Sequence, residues 1–186
     1  MIVIQYDDGK IPAYRTCTRL VRNSLPADAG YMLVDRTHIT ANCGDYRAVS
    51  NILRCCYARR FPAMLWLDSD VLIDRWLNFP FLPGKVYFAE GPRGDPENWA
   101  FFVNDRTDFF DDMYETFERN KPKDIWWFAK YVQGHREEVE LIPKGYFTHL
   151  LMSRAILAGK NYMDTSTPRY SVKRNPLNEE LSIEVR

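Results

Sequence analysis

Residues 63–76 read AMLWLDSDVLIDRW. Ala63 to Leu67 form an apolar run of strand length, which delivers Asp68 and Asp70 two positions apart before the chain turns apolar again at Val71. An apolar run without polar alternation marks a strand buried on both faces, as in parallel sheets covered by helices.

The sequence before this run supports the same reading. IVIQY (2–6) is β-rich and is closed by Asp7, Asp8 and Gly9. Pro12 suits the first turn of a helix, where its missing amide would have no partner anyway. Ile11, Tyr14, Cys17, Leu20 and Val21 give that helix an apolar stripe, and Pro26 closes it. GYMLVD (30–35) reads as a second strand ending at Asp35. After a loop with His38, Asn42 and Gly44, a helix of about four turns runs to Arg60. Tyr46, Val49, Ile52, Leu53, Cys56 and Tyr57 form its core face, and Arg47, Asn51 and Arg54 share the opposite stripe. The order is β-α-β-α-β. It predicts parallel strands with helices on both faces and a ligand site beyond the strands' carboxyl ends. Asp7, Asp35, Asp68 and Asp70 all fall at such ends.

The second half is less regular. VYFAE (86–90) and WAFFV (99–103) read as strands around the turn-rich GPRGDPEN. A helix is expected from about Thr107 to Arg119, with acids in its early turns, where they favour the helix dipole. IWWFAKYV reads as a short aromatic helix in which Trp126 and Trp127 cannot both face inward. VELI (139–142) reads as a strand, Gly145 to Arg154 as a loop, and the polar tail from Thr165 as ending in an edge strand, LSIEVR.

The chain has 186 residues, 46% hydrophobic and 15% aromatic, which predicts one domain with a real core. Twenty-five basic and 25 acidic side chains give zero formal charge, which argues against a broad nucleic-acid-binding face. Cys17, Cys43, Cys55 and Cys56 form no zinc-type pair and read as reduced thiols of a cytosolic protein, possible at a membrane periphery. No run is long enough to cross a bilayer.

Alternate residues of an extended strand point the same way, so Asp68 and Asp70 are expected to converge. Two close, half-buried carboxylates repel unless a cation lies between them. Mg²⁺ and Mn²⁺ suit carboxylate oxygens and keep positions open for phosphate oxygens. The sharpest reading is a metal site that holds a phosphorylated ligand; the plainer one is that both acids cap the next helix or lie in solvent.

SNILRCCYARRFPAMLWLDSDV resembles the helix-to-strand segment that ends in the DxD motif of GT-A-type glycosyltransferases. The resemblance spans roughly residues 1–155 in order of elements, with specificity in the DxD segment alone. It implies an α/β, Rossmann-like, mostly parallel sheet with helices on both faces and a small irregular acceptor-side region. Residues 1–186 would be one such domain: a nucleotide-binding half at 1–70, a sugar and acceptor half at 71–164, and a tail at 165–186. It further implies that Asp70 ligates Mn²⁺ or Mg²⁺, that Asp68 reaches the ribose or the metal through water, and that NWAFFVND lines the sugar pocket. LIPKGYFTHL resembles the segment that supplies a metal-binding histidine, here His149. The implied donor is a UDP- or GDP-linked sugar, and neutral charge makes a glycan or protein acceptor the expectation over nucleic acid. Asp7, Asp8 or Asp35 would lie near the base.

Other residues carry alternatives. Arg47 and Asn51 could point at a diphosphate, whereas Arg54, and more clearly Arg15, Arg19 and Arg22, read better as solvated faces. Asp105, Glu90 and Asp95 are the available carboxylates for a catalytic base; Asp105 equally suits a helix cap. Two rivals share the motif: a Mg²⁺-dependent phosphatase of haloacid dehalogenase type, suggested by LDSDVLID, and a domain that binds metal and carbohydrate without turnover.

Overall fold

The computed structural model describes residues 1–7, 9, 12–38, 46–76, 81–91, 93–120, 126–149, 170–174 and 181–185. Strands β1 (Ile2–Tyr6), β2 (Gly30–Val34) and β3 (Ala63–Asp68) alternate with helices α1 (Pro12–Ser24) and α2 (Tyr46–Ala58). Then follow β4 (Val71–Ile73), β5 (Lys85–Glu90), β6 (Pro96–Asn104), α3 (Asp108–Asn120), α4 (Trp127–Gly134), β7 (Val139–Ile142), β8 (Phe147–His149), β9 (Tyr170–Arg174) and β10 (Leu181–Val185).

The main sheet has six strands in the order β2-β1-β3-β6-β5-β7. β1 pairs parallel with β2 and β3, and β5 parallel with β7, while β6 is antiparallel to both of its neighbours. Every strand of this sheet therefore runs one way except β6. The mostly parallel, helix-covered sheet expected from the sequence is the one observed.

Burial on both faces explains the unalternated strands. Met64, Leu65, Trp66 and Leu67 of β3 have no exposed surface. Leu65 and Leu67 pack with Tyr14, Cys17 and Val21 of α1 on one face. Met64 and Trp66 pack on the other with Val49 and Leu53 of α2, Phe110 of α3 and Phe128 of α4. Trp126 is 58% exposed and Trp127 buried, so one tryptophan of the pair faces out, as expected. Cys17, Cys55 and Cys56 are free thiols, and Cys43 lies outside the described residues.

The tail ends in a strand, β10, which pairs with β9 in a two-stranded sheet separate from the main one. Two expectations need correction. Within the expected loop at 145–154, Phe147–His149 is a strand that pairs antiparallel with β4, with Val71 opposite His149. Three residues are too few for a period-2 pattern to register. Finally, Asn51 and Arg54 are not a solvent-facing stripe: they are 3% and 5% exposed. Phe128 of α4 covers the Arg54 guanidinium, 5.8 Å from its ring centre, so α2 is packed on more than the sheet-facing side.

Candidate functional site

β3 ends at Asp68, and Ser69 and Asp70 form the turn into β4. The alternation that would aim both acids at one point therefore stops before Asp70, and the two carboxylates have different partners. Asp68 continues the Met64–Trp66 face towards α2. There it accepts two hydrogen bonds from Nη2 of Arg54 and one from the indole N–H of Trp66 at 3.0 Å. Arg54 is held in turn by Oδ1 of Asn51 and lies 5.9 Å from the centre of the Trp66 ring. Arg54, taken as solvated from its spacing, is a buried partner of the motif.

Asp70 is 8% exposed, and its Oδ1 lies 3.5 Å from Nε2 of His149. The β4–β8 ladder brings them together by setting His149 opposite Val71, the residue after Asp70. Ser69 between the acids donates its hydroxyl to the carbonyl of Tyr6 and so ties the turn to the end of β1. The Asp68 carbonyl accepts from Nε2 of Gln5 at 3.2 Å, and Gln5 is itself held by the Tyr31 hydroxyl at 3.0 Å. Burial pushes the Tyr31 phenol up to about 12. Burial, then the charges of Asp70 and Asp7, raise the Cys17 thiol far above its ordinary value.

Among the described residues no three His, Cys, Asp or Glu side chains gather as a metal cage. The Asp70–His149 pair nevertheless fits one divalent ion. Donors that each lie about 2.0–2.2 Å from a metal can be 3.5 Å apart. A hard ion held by one or two protein groups keeps its other positions for water and phosphate. An imidazole beside a carboxylate would suit a first-row divalent ion better than Mg²⁺.

Asp7 and Asp35 end β1 and β2 at the same end of the sheet. Asp7 is buried and accepts the Gly9 N–H at 2.9 Å. Asp35 caps a 3₁₀ turn at Arg36–His38 through the N–H (2.8 Å) and hydroxyl of Thr37. The hydroxyl chiefly, then the backbone donor, holds its carboxyl below the usual carboxylate range. Both acids line a cleft of about 750 Å³ between α1 and β2, along which Arg15, Arg19 and Arg22 are also arrayed. Asp8 and the Arg47 side chain lie outside the described residues. His38 bonds locally to Asp35, and His135 stacks on Tyr131 at 4.0 Å.

The base candidates separate. Asp105 follows the reversed strand β6, and its N–H bonds the Pro62 carbonyl at 2.7 Å, at the start of β3. It is therefore at the opposite end of the sheet from Asp68, a correction that follows from strand direction alone. Glu90 ends β5 at the same end as Asp68 and pairs with Lys144 at 3.8 Å. Asp95 is exposed in the β5–β6 turn.

β6 supplies Trp99, which the sequence marked only as part of the NWAFFVND segment, and Glu97, which it did not single out. Ala100 pairs with Leu67, so Trp99 lies level with Asp68 and residues 96–98 run past the end of β3. Between Phe88 and Ala89 of β5 the β6 partner jumps from Phe101 to Glu97, a bulge. Within the stretch 98–100 that this jump leaves without a β5 partner, Trp99 stacks on His149, with ring centres 5.0 Å apart and planes at 28°. Glu97 lies against the Gly91 backbone so closely that a Cβ there would be 2.6 Å from its Oε1. Bulges leave no mark in single-sequence periodicity.

No protein-family profile matches the chain, and no curated protein matches by sequence. Solved structures do. A glycosyltransferase involved in the glycosylation of the major capsid of PBCV-1 is similar with a TM-score of 0.54 at 17% identity, over 76% of this chain and 80% of that one. The glycosyltransferase GlyE of Streptococcus pneumoniae TIGR4 is similar with a TM-score of 0.53 at 10% identity, over 76% of this chain. The match spans 44% of the GlyE chain. The fold is therefore one that glycosyltransferases use. No helix among the described residues is long and apolar enough to cross a membrane.

Proposed function

We propose that the chain is a metal-dependent glycosyltransferase, moving a sugar from a UDP- or GDP-linked donor to a hydroxyl of a glycan or protein. The observation that carries this reading is the approach of Asp70 and His149 to 3.5 Å at the carboxyl end of a sheet with this fold.

Cleaving the bond between sugar and diphosphate loads negative charge onto the departing nucleotide. A divalent ion held by Asp70 and His149 would supply positive charge opposite that group. The side chains do the rest. Asp70 offers a carboxylate oxygen, and His149 offers Nε2 with its ring already turned to the same point. Asp68, clamped by Arg54 and Trp66, presents its remaining accessible edge to the ribose. Asp7 and Asp35 accept hydrogen bonds from nucleoside hydroxyl or N–H groups. As the sugar carbon becomes oxocarbenium-like, inversion requires a carboxylate to take the acceptor proton. Glu90 and Asp95 are the sequence candidates on the correct end of the sheet, and Glu97 joins them.

The phosphatase reading is not favoured. Its nucleophile would be Asp68, whose oxygens are engaged by Arg54 and Trp66. A domain that binds without turnover would show donor binding and no hydrolysis or transfer.

The test is a thermal-shift series with UDP-, GDP- and dTDP-sugars, with and without Mn²⁺, on the wild type and Asp70→Ala. A ligand that binds only the folded state raises the midpoint, by about 2.7 kcal/mol of stabilisation at a hundred times its dissociation constant. One donor should act with Mn²⁺ on the wild type alone. A metal-independent shift, or an equal shift in Asp70→Ala, would defeat the site.

A further inference from the structure

We infer that Trp99 is a positioning residue for His149, fixing the imidazole so that Nε2 faces Asp70. The inference rests on the reading of Asp70 and His149 as a metal pair. His149 sits on β8, a strand of three residues held by β4 alone among the described strands. Such a short ladder fixes the backbone, and the orientation of the ring is set by side-chain contacts. One aromatic contact orients the imidazole and a second braces it. Trp99 covers one face of the imidazole at 5.0 Å and 28°. Phe147, two residues before His149, meets the Trp99 ring edge-on at 6.3 Å and 88°. Trp99 is thus wedged between two β8 side chains and ties the small ribbon to the main sheet.

The β6 bulge makes this possible. Phe101 and Val103 of the same strand point to the face covered by α2, α3 and α4, and in unbroken alternation residue 99 would follow them. The bulge turns Trp99 to the opposite face, where Phe147 is buried. Groups that orient a metal-binding histidine govern affinity without touching the ion, typically by about 10–100-fold. Stacking, being weaker than a second hydrogen bond, belongs at the low end of that range.

The experiment titrates the full chain with Mn²⁺ alone and reads free ion by its electron paramagnetic resonance signal. Wild type, Trp99→Phe, Trp99→Leu and His149→Ala are compared, with urea unfolding of each as a separate measure of fold. Trp99→Phe keeps a flat face and should bind within about threefold of wild type. Trp99→Leu should bind about tenfold more weakly while still unfolding cooperatively. If wild type binds, His149→Ala does not, and Trp99→Leu matches wild type, the positioning role is overturned while the metal pair stands. Equal weakening in Trp99→Phe and Trp99→Leu would reduce Trp99 to packing and also overturn it. If wild type and His149→Ala bind alike, the pair itself fails and the inference with it.

Discussion

Replacing Arg54 by methionine keeps an unbranched apolar stem and removes the guanidinium that Asp68 holds. The side chains of Arg54 and Asp68 are 7% and 24% exposed. Removing one member of a buried ion pair costs about 3–5 kcal/mol, because the other is left charged and desolvated. Two features lower that figure. Asp68 keeps partial access to water and the Trp66 N–H at 3.0 Å. Nε of Arg54 is buried with no acceptor among the described residues, a burden of about 1–3 kcal/mol that methionine does not carry. The net expectation is a loss of about 2–3 kcal/mol. In a chain of this size that lowers the melting midpoint by about 4–12 °C. Urea unfolding of the wild type, Arg54→Met, Asp68→Asn and the double variant measures it. The double variant should lose at least about 1 kcal/mol less than the sum of the singles. Arg54→Met within about 0.5 kcal/mol of wild type, or additive singles, would refute the claim that the motif's first acid is anchored through α2.

Other outcomes follow from the same geometry. Asp70→Asn and His149→Ala should each weaken Mn²⁺ binding at least about tenfold, checked by calorimetry. Asp105 has φ of 55°, a left-handed backbone, at the wrong end of the sheet; Asp105→Ala should cost about 1 kcal/mol in urea and leave transfer rates unchanged. Tyr31 holds its proton up to about pH 12 when folded but only to about 10 when unfolded, so its contribution is complete below pH 10 and disappears as pH rises to 12. Tyr31→Phe should flatten that decline in an alkaline unfolding series. Asp35 has the opposite sign: its lowered carboxyl favours the fold above the unfolded value near 3.8, a preference lost as pH falls through the folded one. Thr37→Val should move the Asp35 titration upward by NMR.

Much of the architecture was written in short-range pattern. The unbroken apolar run at 64–67 requires burial on both faces, and that forces helices onto both sides of β3. Alternation of strands and helices then makes the first three strands parallel and puts Asp7, Asp35 and Asp68 at one end. His149 drew attention through a resemblance, but nothing local paired it with Asp70. Arg54 was misread because a helical wheel knows one buried face, whereas α2 is also covered from the side by α4. Asp105 was misplaced because a period of two is the same whichever way a strand runs.

The sequence by itself determined which segments are buried, how they repeat and where their polar ends fall, since these follow from the chain's own periodicities. Tertiary structure alone decided the reversal of β6, the bulge that turns Trp99, the ladder that carries His149 to Asp70 and the guanidinium that claims Asp68. Each of these is a contact between residues far apart in the chain, and its free energy exists only once both have been brought to the same place.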